Sequence, residues 1–121
     1  MAANHAYGHS ATISVLLGGG NASFGAPTEY PVGDGATSVA LADLDNDGDL
    51  DVVVANYFSA DVSVLLGHGD GTLAPQTRYT VAASSYNVAI GDLNGDGKLD
   101  IVSSSVGGKA FSVLLGNGDG S

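Results

Sequence analysis

Val62-Ser-Val-Leu-Leu-Gly67 repeats Ile13-Ser-Val-Leu-Leu-Gly18 and returns as Phe111-Ser-Val-Leu-Leu-Gly116, at a spacing of 49 residues each time. Alternation along the run puts Val62, Val64 and Leu66 on one face and Ser63 and Leu65 on the other. Both faces are then largely apolar, as expected of a strand in a sheet sandwiched between neighbours. The register holds outward from this run: Tyr30 matches Tyr79, Val32 matches Val81, and Val39-Ala-Leu-Ala-Asp43 matches Val88-Ala-Ile-Gly-Asp92. Residues 1–121 read as a single repeat domain, with repeats at 13–61 and 62–110 and the start of a third at 111–121.

Each period reads as four short strands separated by turns rich in Gly, Asp and Asn, without a helical pattern. The strands fall near 13–17, 28–33, 38–43 and 50–55, with equivalents one period on. Four strands per period, covered on both faces, predict an all-β chain of about two and a half four-stranded antiparallel β-propeller blades. A flat sandwich, the alternative, would not be expected to repeat so regularly. A closed ring of four to eight such blades needs roughly 200 to 400 residues, so the expected architecture is an incomplete propeller. The sequence opens within a blade and stops at Gly120-Ser121 inside a turn. It therefore reads either as a fragment or as one of several copies that complete one another.

The charge is concentrated. Thirteen acidic residues face only Arg78, Lys98 and Lys109, for a formal charge of -10, and eight of the acids lie in two nine-residue segments. So few basic residues exclude phosphate neutralisation on the scale that nucleic acid requires. With no cysteine there are no disulfides, thiolate metal sites or cysteine nucleophiles. No stretch is apolar enough to span a membrane as a helix, and the opening Met-Ala-Ala-Asn-His has no signal-peptide pattern.

The two segments are Asp43-Leu-Asp45-Asn-Asp47-Gly48-Asp49-Leu-Asp51 and Asp92-Leu-Asn94-Gly-Asp96-Gly97-Lys98-Leu-Asp100. Both fit D-x-[DN]-x-D-G-x-x-D. Calcium takes six to eight oxygen ligands, and alternate positions on a tight loop converge on one centre. Positions 1, 3, 5 and 9 offer side-chain oxygens. Position 7 is Asp49 in one loop and Lys98 in the other, so a shared contact there has to come from the backbone carbonyl. The helical calcium hand asks for a glutamate at position twelve; here that position is Val54 or Ser103, and a β run follows the ninth residue instead. A purely solvated acidic turn is the plainer reading, but crowding carboxylates without a cation is unfavourable. Two Ca2+ sites are therefore expected, with loop one the tighter because Asn94 and Lys98 weaken loop two. Leu50 and Leu99 are expected to point into the core.

Val39 to Asn56 and Val88 to Ser105, with the Val-Ser-Val-Leu-Leu-Gly-His-Gly-Asp-Gly-Thr stretch between them, resemble FG-GAP (VCBS-type) repeats, and Phe24-Gly-Ala-Pro27 spells out elements of that name. The resemblance covers nearly the whole chain. It implies blades of a calcium-binding propeller, as in integrin α-subunits and certain lectins, with the metal loop joining the first two strands of a blade. It also implies an extracellular or cell-surface module.

Three function classes follow. A structural or adhesive module is favoured, in which open blade edges pair with other copies into a closed ring or filament; three chains would supply about seven repeats. Extracellular protein or glycan partners fit the same picture. A carbohydrate-binding propeller lectin is the alternative, with Tyr7, Tyr57, Phe58 and Tyr86 as stacking candidates. These aromatics do not recur in register, so core or edge packing is the preferred reading of them. Enzymatic activity is not expected: no serine sits in a nucleophile elbow, and His5, His9 and His68 are isolated. Gly67-His-Gly-Asp-Gly-Thr72 and Gly116-Asn-Gly-Asp-Gly-Ser121 read as tight hairpin turns, and Asn21-Ala-Ser23 is a formal glycosylation acceptor.

Overall fold

The computed structural model describes residues 2–4, 11–106 and 110–121. Within them the apolar alternations become ten strands: β1 (Ala2–Asn4), β2 (Ala11–Val15), β3 (Thr28–Val32), β4 (Ala36–Ala42), β5 (Asp51–Asn56), β6 (Asp61–Leu65), β7 (Thr77–Thr80), β8 (Ser85–Gly91), β9 (Asp100–Ser105) and β10 (Phe111–Leu114). There is no helix among these residues. Nine of the strands lie where the repeat pattern places them; β1 is a strand the pattern does not single out.

The strands form three antiparallel sheets, β1-β2-β3, β4-β5-β6-β7 and β8-β9-β10. They do not close on one another, so the chain is an incomplete propeller. The hydrogen-bonded unit runs from β4 to β7, so a 49-residue frame starting at Ile13 cuts the first sheet between β1 and β2, the second between β5 and β6 and the third between β9 and β10.

Two cores lie between the sheets, and the alternation of β5 and β6 serves both. Val52, Val54 and Leu65 pack with Ala11, Ile13 and Val32 of the first sheet. Val53, Val62 and Val64 point the other way and pack with Val81, Leu44 and Ile101. Removing each such Val, Ile or Leu side chain from water contributes about 1.5–3 kcal/mol, and all six residues of β5 are buried. Polar contacts near both ends of the sheets join neighbours. The Leu73 N–H donates to the Tyr30 hydroxyl (3.2 Å), and the Thr37 hydroxyl donates to the Tyr86 carbonyl (2.7 Å). Thr37 and Tyr86 are one period apart, and each sits at a register shift in its strand.

The expectation for Leu50 fails: its side chain is 60% exposed, whereas Leu44 is buried. Leu99, the equivalent of Leu50, is half-buried against the cluster that contains Leu44. The reason is that the core between sheets takes one leucine from the acidic loop on each side. Leu44 and Leu99 supply it for the second core, while Leu50 faces the first sheet, where no acidic loop is present among the described residues. Leu93, the equivalent of Leu44, is exposed for the same reason at the other end.

Candidate metal centre

Both acidic segments join the first and second strands of a sheet, β4 to β5 and β8 to β9. Their backbone folds around their own carboxylates. In loop one Asp43 accepts from the N–H groups of Asp47 (3.1 Å) and Gly48 (2.9 Å), Asp45 accepts from Asp47 (3.2 Å), and Asp47 accepts from Asp49 (2.8 Å). Loop two repeats the set: Asp92 accepts from Gly95, Asp96 and Gly97, Asn94 from Asp96, and Asp96 from Lys98. Two residues per loop adopt left-handed backbone, Asn46 and Gly48 in one, Gly95 and Gly97 in the other. Glycine at the sixth position meets this demand without a side-chain clash. The left-handed fourth position is not evident from the consensus pattern, but Asn is among the few non-glycine residues that tolerate it, and its alternation with Gly there is the signal.

The ninth position has a second role that the pattern does not disclose. Asp51 is fully buried; one of its oxygens accepts from the Leu44 N–H (2.7 Å) and the other from the Gly67 N–H (2.8 Å). Asp100 does the same with Leu93 and Gly116, both at 2.8 Å. Each carboxylate thus ties the start of its loop to the hairpin that follows the third strand, keeping lone pairs on both oxygens for a cation. A Cβ on Gly67 or Gly116 would come within 2.1 Å of the Leu50 or Leu99 carbonyl, so these glycines allow the close approach. The Gly116 and Leu93 N–H groups lower the Asp100 pKa below its ordinary value.

Asp43, Asp45 and Asp51 each place one oxygen so that all three lie within 4.8 Å of one another. Calcium–oxygen distances of 2.3–2.6 Å allow two ligand oxygens to stand up to about 5 Å apart, so this separation fits one ion. Without a cation the crowding has a cost. Desolvation raises the Asp45 carboxyl above its ordinary value, and the charges of Asp51 and Asp47 push the same way. The donor set is all oxygen, which suits calcium over softer metals.

The position-7 side chains leave the ring. The Asp49 carboxylate lies against Gly69, where a Cβ would come within 2.6 Å of both oxygens, and the Lys98 stem lies against Gly118. Lys98 there helps hold the Asp119 pKa low, after the Ser121 hydroxyl and N–H. In loop two Asn94 replaces Asp45 and donates to Asp96 (3.3 Å), so its ring carries one negative charge fewer.

The other candidates lie elsewhere. Tyr57, Phe58 and Tyr86 gather at the opposite end of the sheets, where Phe58 and Tyr86 remain exposed rather than packed into a core. His68 is exposed in its turn; Tyr7, His5 and His9 lie outside the described residues.

A family model described as an FG-GAP-like repeat matches residues 2–54 and 43–103. Both matched stretches end three residues beyond the ninth position of an acidic loop, one period apart. Neither a curated protein nor a solved structure matches the chain.

Proposed function

The chain belongs to the FG-GAP-like repeat family, and from that premise we propose that it is a non-enzymatic, calcium-binding structural module that assembles with further copies. The observation that carries the calcium reading is the convergence of Asp43, Asp45 and Asp51 within 4.8 Å. Asp47 completes the side-chain donors, and the Asp49 carbonyl is the assigned backbone ligand. Asp92, Asn94, Asp96, the Lys98 carbonyl and Asp100 take the same roles in loop two. Bound Ca2+ would supply charge compensation and bracing rather than chemistry, holding the β4–β5 and β8–β9 connections against the hairpins that Asp51 and Asp100 already reach. Calcium modules that work outside the cell operate at submillimolar to millimolar calcium, which suits an extracellular or cell-surface adhesive role.

Assembly is supported by the outer face of the third sheet. Leu93, Phe111 and Val113 are 55%, 71% and 43% exposed. Their equivalents one period earlier, Leu44, Val62 and Val64, form the second core. A further sheet of the same kind, supplied by a second copy, would cover them as the third sheet covers the second. Strand addition at the open edges of β3 and β10 would extend the same contact. Light scattering with calcium and with a chelator tests both readings. Concentration-dependent association in calcium, reduced by chelation, is expected; a concentration-independent monomer would remove the assembly reading, and an unchanged melting temperature on chelation would remove the calcium reading.

A further inference from the structure

We propose that Tyr57, Phe58 and Tyr86 form a docking site for a cationic side chain, the lysine or arginine of a basic segment on a partner protein. The site lies at the end of the sheets opposite the acidic loops and does not depend on the calcium reading. Tyr57 stands edge-to-face to Phe58 (centroids 5.3 Å apart, planes at 82°) and to Tyr86 (6.4 Å, 84°). Phe58 and Tyr86 are 58% and 45% exposed. Two sheets contribute: Tyr57 and Phe58 come from the β5–β6 turn, and Tyr86 comes from β8.

The repeat supplies an internal control. At the position of Tyr86 the preceding copy has Thr37, and at those of Tyr57 and Phe58 the flanking copies have Gly8 and His9 or Val106 and Gly107. The fold forms β4 and its register shift with a threonine there, so architecture does not ask for a tyrosine. The shift in β8 falls between Ser85 and Asn87, a local irregularity of the kind that re-aims a side chain.

The turn that carries Tyr57 and Phe58 is held from both sides. Gly35 and Asp34 carbonyls accept from the N–H groups of Tyr57 (2.9 Å), Phe58 (3.1 Å) and Ser59 (3.3 Å), and the Ala60 carbonyl accepts from Val81 (3.1 Å). Ala60 adopts left-handed backbone, and a Cβ on Gly35 would meet the Phe58 ring at 2.6 Å. Under the turn, buried Asn56 donates to Asp61 (2.8 Å) and Ser63 (2.9 Å). Arg78 pairs with the second Asp61 oxygen. This ion pair is also particular to one copy, because the first repeat has Thr12 and Glu29 at the two positions and the third has Ala110 at the first. Strain and a buried charge that persist around an exposed group are the mark of pre-organisation for binding.

Charge selects the partner. Aromatic faces attract cations, the chain carries -10, and Arg78, one of the two Lys or Arg side chains among the described residues, is committed to Asp61. A net negative field raises the encounter rate with basic partners and lowers it with acidic ones.

The test is a titration of isotope-labelled protein with a capped tetra-arginine peptide, in saturating calcium and about 0.15 M salt so that the acidic loops are screened. Saturable amide shifts centred on Asp34, Tyr57, Phe58 and Tyr86 are expected. Phe58→Ala and Tyr86→Thr, the latter copying Thr37, should each weaken binding about fivefold, as loss of a cation–π contact would, at unchanged melting temperature. Shifts confined to the acidic loops, affinity in both variants unchanged from the unaltered chain, or saturation of the same rings by a neutral oligosaccharide but not by the peptide would each overturn the proposal.

Discussion

The two acidic loops have the same backbone and different charge. In both, the first residue caps the turn, the fourth and sixth are left-handed, and the ninth ties the loop to the next hairpin. Loop one brings three carboxylates within 4.8 Å and raises Asp45. Loop two has Asn94 at that position, and its Lys98 lies towards Asp119. The shape is therefore written by glycine, asparagine and self-satisfying hydrogen bonds, and does not need the full complement of acids. The acid that most exceeds the shape's needs is Asp45, and its place beside Asp43 and Asp51 is what the proposed calcium would account for.

The largest effect expected within this comparison is at the ninth position. Asp51→Ala leaves the buried Leu44 and Gly67 N–H groups without their charged acceptor, which costs about 3–4 kcal/mol. A denaturant melt in chelator should show most of that loss, because the hydrogen bonds exist without metal. Asp100→Ala acts in the same direction and less strongly, since Leu93 is exposed where Leu44 is buried. Loss that appears only in calcium would mean that position nine is a ligand alone.

Asp45→Asn should change sign with calcium. The folded Asp45 pKa lies above its unfolded value, so protonation is favoured by the fold, and this carboxylate's contribution worsens as pH rises through the folded pKa. Asp100 is the opposite case: its pKa is lowered, so its contribution is present above the unfolded carboxylate pKa and lost as pH falls through the folded one. In chelator at neutral pH, Asp45→Asn should thus raise the melting temperature and flatten its pH dependence above the ordinary carboxylate pKa. In calcium it should lower it. The same sign in both conditions would separate Asp45 from metal binding.

Smaller still are the changes that make loop two resemble loop one. Asn94→Asp should tighten its calcium affinity by about tenfold, roughly 1.4 kcal/mol. Lys98→Asp should tighten it by a few-fold at low salt and by less in 0.15 M salt, because the side chain is exposed and screened. Fitted calorimetric affinities for each variant check both.

Much of this molecule was legible in its residues. A strict period of 49 located nine strands, and the alternation of Val62, Val64 and Leu66 against Ser63 and Leu65 assigned the faces that the two cores use. What was hidden depends on neighbours. Leu50 and Leu44 are equally apolar and equally placed beside an acidic turn, yet only the one facing a loop-bearing sheet is covered. The brace made by Asp51 reaches sixteen residues along the chain to Gly67, and no spacing within the loop signals it. Tyr57, Phe58 and Tyr86 fail to recur, and that absence of periodicity is itself what separates them from the scaffold once the structure brings them together.

The central claim is that loop one is a calcium site tighter than loop two. Calcium titration calorimetry on the unaltered chain, paired with Asp45→Ala, tests it most directly. Two binding events are predicted, and the tighter of them should vanish in the variant while the weaker remains. No calcium heat, or loss of the weaker event instead, would contradict the account.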